Sequence, residues 1–128
     1  MRLLATAVLA LALAIGAEPT LAGGQDALDS KPTTWRGVPF GPEQVFEGEY
    51  AINFETSVFT PDDAPRAEAV WLAGWEDRPG DNGGAIRRYH LRFVGRHTAD
   101  PGRYGGLGAY RHEVLITRLI SARLLIWP

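Results

Sequence analysis

The chain has 128 residues, with 13 Lys and Arg against 15 Asp and Glu, a net charge of −2, and no cysteine. A balance this close to neutral argues against generic nucleic-acid binding and against adhesion to anionic membranes. Without Cys there are no disulfides, no thiolate catalysis, no Cys-based metal site and no lipid-bearing cysteine after a signal sequence.

Met1-Arg2 is a short positive start, Leu3 to Ala17 is apolar throughout, and Glu18-Pro19 breaks the run before Thr20-Leu21-Ala22. This three-part pattern is that of a cleavable secretory signal, with small residues placed for a cut after Ala22. The apolar run falls short of the roughly 20 residues that cross a bilayer as a helix, so no membrane anchor is expected. Residues 1–22 are read as a signal peptide and the product as periplasmic or secreted. The remainder is long enough for one compact domain, which must stand on packing alone.

Residues 23–45 are rich in Gly, Pro, Thr and Ser, and Pro32 and Pro39 oppose long regular elements. They are expected to form an extended N-terminal arm, with Trp35, Val38 and Phe40 free to dock. Residues 46–128 are expected to be a single β-barrel domain. From Glu47 to Phe59, Tyr50, Ile52, Phe54, Thr56 and Val58 alternate with Glu49, Ala51, Asn53, Glu55 and Ser57, which predicts one half-buried strand. Residues 61–65 are a turn. Ala67 to Trp75 predicts a strand covered on much of both faces, and residues 76–84 a hairpin tip.

Ile86 to Thr98 alternates again, with Tyr89, Leu91, Phe93 and Gly95 set against Arg88, His90, Arg92, Val94 and Arg96. A glycine-rich connection, residues 99–108, leads to strands predicted at 109–117 and 119–127, with Arg118 at the bend or bulge between them. No strong helix is visible. The fold class is therefore all-β: five strands in a small, partly open barrel of the OB type, with a small β-sandwich or meander as the alternative. In the barrel reading a glycine-rich loop replaces the usual helix between strands three and four.

Arg88, His90, Arg92 and Arg96 share one face of the third predicted strand and form a basic stripe suited to carboxylates, phosphates or sulfated sugars. The competing structural role is cross-strand pairing with Glu47, Glu49 and Glu55. Tyr104 and Tyr110 flank the glycine run and are candidates for the rim of a ligand groove. In the structural alternative they pack that loop over a barrel end together with Leu107. The histidines offer no metal signature: His90 and His97 differ in parity, and nothing matches the spacing of a zinc motif. A surface site using His97 or His112 with an Asp stays open. No serine lies in a nucleophile elbow, and no motif calls for a cofactor.

Gly102-Arg103-Tyr104-Gly105-Gly106-Leu107-Gly108-Ala109-Tyr110, continuing through Glu113, resembles a G-x-Y-G-H-L-G-x-Y-x-x-E box found in small, mostly exported bacterial proteins of unassigned function. Gly106 stands where that box carries His. The resemblance implies a compact β fold and no activity.

The reading that follows is a non-enzymatic, exported binding module contacting an anionic ligand or an envelope protein through Arg88, His90, Arg92, Arg96, Tyr104 and Tyr110. A small hydrolase or metal-dependent enzyme using His112 and nearby carboxylates is the first alternative. A protein-binding inhibitor or assembly partner, using apolar surface near Trp71, Trp75 or Trp127, is the second.

Overall fold

A computed structural model describes residues 27–76 and 85–125. The expected signal peptide, most of the 76–84 tip, and Trp127 lie outside the described residues. Six strands are formed: β1 (Thr33–Trp35), β2 (Val38–Ile52), β3 (Ser57–Pro61), β4 (Val70–Ala73), β5 (Arg87–Thr98) and β6 (Glu113–Leu124). The fold is all-β, and among the described residues no helix is long and apolar enough to cross a membrane. Five strands pair in the order β2-β3-β4-β6-β5, and β5 pairs back onto β2. This ring has the pattern of a small, partly open barrel. Its parallel seam pairs β4 with β6 from Trp71 to Ala73, and its narrowest joins β3 to β4 through Val58 and Phe59.

The arm region differs from an extended segment. Arg36 and Gly37, with φ of 52° and 76°, close a two-residue hairpin that pairs β1 with β2, a turn whose twist suits antiparallel strands. Trp35 meets Phe40 edge to face at 6.3 Å and carries the Arg36 guanidinium over its ring. β2 begins at Val38 despite its prolines and shifts register against β5 between Phe40 and Glu43.

The single strand expected from Glu47 to Phe59 is a hairpin. Asn53 and Thr56 exchange backbone hydrogen bonds of 3.0 and 3.3 Å, and Asn53 Oδ1 accepts from the Glu55 N–H. This Asx-type turn needs neither Gly nor Pro. Beyond it the parity flips, so Ser57 and Phe59 are buried while Phe54 is exposed. At the other end, the two strands expected after residue 109 are one strand. Its register against β5 jumps from Ser121 to Leu119 and from Arg118 to Ile116, so Ile120 and Thr117 are bulged residues on either side of Arg118. The ring thus has five strands by a different division, and the glycine-rich connection joins its fourth and fifth members.

Tyr50, Ile52, Phe59, Leu72, Leu91, Phe93, Val114 and Ile116 fill the interior. The Phe46, Phe59 and Phe93 rings stand 5.0–6.2 Å apart in pairs. Burying side chains of this size contributes about 1.5–3 kcal/mol each. Ser57 is the polar exception. Its hydroxyl donates to the Leu72 carbonyl at 2.6 Å and accepts from the Tyr50 hydroxyl at 2.8 Å, so the buried polar atoms are satisfied.

Gly48 lies on β2 where β3 and β5 flank it on opposite edges. A Cβ there would stand 2.2 Å from the Thr60 carbonyl oxygen and 2.8 Å from the Pro61 Cα, both backbone atoms. Gly48→Ala is expected to cost at least about 1–3 kcal/mol, the range of overpacked cores. Urea unfolding checks this, with Gly41→Ala as a control whose Cβ has ordinary clearance.

Candidate functional site

The basic stripe on β5 meets acids along most of its length. In the β2–β5 register Arg88 faces Ala51, His90 faces Glu49 and Arg92 faces Glu47. Arg88 donates to Glu49 Oε2 at 2.9 Å, His90 lies 2.9 Å from Asp62 Oδ2, and Arg92 lies 3.7 Å from Glu47 Oε1. Glu47 and Glu49 therefore take the cross-strand positions considered for them, while Glu55 sits in the β2–β3 turn. These pairs lie at the surface and each is worth little.

Arg96 is different, being only 5% exposed. It donates to the Lys31 carbonyl at 2.6 Å, the Gly41 carbonyl at 3.0 Å and Asp29 Oδ2 at 2.8 Å. The Lys31 N–H holds Asp29 below the usual carboxylate range; burial opposes it, and the Arg96 guanidinium acts in the same direction as Lys31. Arg96 is a clamp for the segment ahead of β1.

A cleft of about 620 Å³ opens at one mouth of the ring. Its floor is Phe46, Val70 and Val114, one wall is the 3-10 turn Arg66–Glu68 between β3 and β4, and the other is the end of the β5–β6 connection with Tyr110, Arg111 and His112. His97 continues the inward parity of Leu91 and Phe93, and His112 that of Val114 and Ile116. Both therefore extend the interior faces of their strands to the rim, where their rings meet at 4.2 Å.

Thr98 addresses both imidazoles. His97 Nδ1 is 2.9 Å from the Thr98 carbonyl, which only accepts, so Nδ1 carries the proton and Nε2 of neutral His97 keeps a lone pair. The Thr98 hydroxyl accepts from the Glu113 N–H at 3.2 Å and lies 2.8 Å from His112 Nδ1. Burial, then the neighbouring His97, then Arg111 push His112 below the ordinary imidazole range. Among the described residues neither Arg66 nor Arg111 has a carboxylate partner within ion-pair distance, so two uncommitted cations share the cleft with the histidine pair.

The sequence-predicted residues are dispersed relative to this cleft. Tyr110 lines it and packs against Trp71 at 5.7 Å. Tyr104 pairs with Tyr110 through the backbone and donates its hydroxyl to the Asp100 carbonyl. Leu107 does not pack the loop down: it is 99% exposed, at φ of 59°. Gly105 does the covering instead. Its φ is 74°, and a Cβ there would lie 2.5 Å from the Trp71 ring. Trp71 and Trp75 are half-buried, Trp75 against Tyr50. Arg66 and Arg111 carried no sequence signal. The inward parity of His97 and His112 did.

Two measurements probe these environments. Arg96→Gln is expected to cost about 1–3 kcal/mol through its lost hydrogen bonds, and Arg92→Gln less than about 1 kcal/mol, in urea titrations. Burial holds the Glu113 carboxyl above the ordinary range, partly offset by Arg36. Ionising it costs the fold more than the unfolded chain, so stability is intact below the ordinary carboxylate pKa and is lost as pH rises through the raised value. Glu113→Gln should therefore raise Tm near pH 7 and leave it unchanged near pH 3.

Compared with family models, with curated proteins and with solved structures, the chain finds no match in any of the three.

Proposed function

We propose that the chain is an exported, non-enzymatic binding module, acting in the periplasm or the medium, whose barrel mouth takes a small anionic ligand. The observation that carries this reading is the joint placement of His97, His112, Arg66 and Arg111 around a cleft of about 620 Å³ with an apolar floor. Clefts of this size suit small molecules, and barrel mouths are a recurrent place for them. Small partly open barrels bind through a sheet face and the loops at its end, including the loop between the fourth and fifth strands. Here that loop supplies Tyr110 and Arg111. The Arg88–Arg92 portion of the β5 face is the poorer candidate, since its charges already meet Glu49, Asp62 and Glu47.

The paired histidines favour one second reading, a small hydrolase in which His97 Nε2 removes a proton. The cleft lining contains neither Ser nor Thr, and its acid is Glu68. A hydrolase built here would need water as the nucleophile.

The test is calorimetric titration with inorganic phosphate, short carboxylates and a sulfated sugar. One class is expected to bind, and Arg66→Glu with Arg111→Glu should weaken it more than tenfold at unchanged Tm. A bound anion favours protonated His112, which the free protein disfavours. Binding therefore takes up a proton and tightens as pH falls from about 8 to 6. Affinity indifferent to both arginines would overturn the proposal, and turnover of an ester in the same cleft would favour the hydrolase.

A further inference from the structure

Glu47 on β2, Asp62 just after β3, and His90 on β5 converge on a second point, outside the mouth. Their ligand atoms all lie within 4.8 Å of one another. His90 Nε2 is 2.9 Å from Asp62 Oδ2 and 3.7 Å from Glu47 Oε2. Nitrogen and oxygen donors on one first-row divalent ion at about 2.0–2.2 Å sit roughly 3–3.5 Å apart in neighbouring coordination positions. The observed spacing needs only small side-chain rotations to meet that requirement.

Backbone pairing, more than side-chain chance, sets this convergence. The β2–β5 register brings His90 opposite Glu49, two residues from Glu47. The Asp62 N–H donates to the Glu47 carbonyl at 3.0 Å, fixing the end of β3 against β2. Arg92 Nε faces Oε1 of Glu47 at 3.7 Å, which leaves Oε2 turned toward His90. An outer partner of this kind orients a ligand carboxylate. A cleft of about 430 Å³, lined in part by Glu47, Asp62, Asp63 and Arg92, opens beside the three donors. It provides room for water or a further ligand in the remaining positions.

The imidazole separates this cluster from a group of surface acids. Calcium and magnesium prefer all-oxygen sets and copper(I) prefers sulfur, whereas one imidazole with two carboxylates suits manganese, iron(II), cobalt or zinc. We propose that Glu47, Asp62 and His90 form a site for one first-row divalent cation, bound at the surface with open coordination positions. It is independent of the mouth and of the function proposed for it.

The experiment is calorimetric titration of the full chain with Zn²⁺, paralleled by the visible spectrum of added Co²⁺. One equivalent is expected to bind. Asp62→Asn and His90→Gln should each weaken it at least tenfold, whereas His112→Gln, which removes an imidazole from the mouth, should leave it unchanged. Far-ultraviolet circular dichroism verifies that the variants fold, and Mn²⁺ should broaden the amide resonances of residues 47, 62 and 90 before others. The proposal is overturned by an absence of saturable binding, or by binding that depends on His112 and not on Asp62 and His90.

Discussion

β2 is hydrogen-bonded along both edges, to β3 over Gly48–Ile52 and to β5 over most of its length. A strand used twice has to coil, because each neighbour imposes its own twist. Gly48 is where the two demands meet, and its missing side chain lets the β3 backbone come close. Everything else follows from that shared strand. β3 leads to β4, β4 meets β6 in parallel, and β6 returns through β5 to β2. The interior is what this circuit encloses, and the mouth is where the inward rows of β5 and β6 run out at His97 and His112.

The same circuit divides the outer face of β5. Near its start the basic residues lie over β2 and meet acids in solvent. Near its end Val94, Arg96 and Thr98 are buried, and Arg96 holds the segment ahead of β1. One alternating row of side chains therefore does two jobs. Solvent-screened pairs contribute little, whereas a guanidinium enclosed by two carbonyls and a carboxylate fixes the path of the chain.

Legibility in the sequence tracked how local each determinant was. β5 begins one residue from its expected start, since the period-two row of Leu91 and Phe93 against Arg88 and Arg92 needs no knowledge of partners. The β2–β3 turn was hidden because Asn53 closes it with its own side chain, and the residues on either side of it keep up an unbroken alternation. Pro39 and Pro42 obscured the first half of β2, where Pro39 pairs in register with Thr34 of β1 and Pro42 falls within the register shift against β5. An irregularity at Arg118 was legible, but its form, one continuous strand with bulges at Thr117 and Ile120, depends on pairing with β5. In the mouth, strand parity already turned His97 and His112 inward. Their meeting depends on the β5–β6 register, and Arg66 enters only through the path of the β3–β4 connection.

Thr98 holds both histidines, its carbonyl accepting from His97 Nδ1 and its hydroxyl bonded to His112 Nδ1. Two rings on two segments of the chain thus answer to one residue at the end of β5: its side chain holds His112, whereas the His97 contact is made to its backbone.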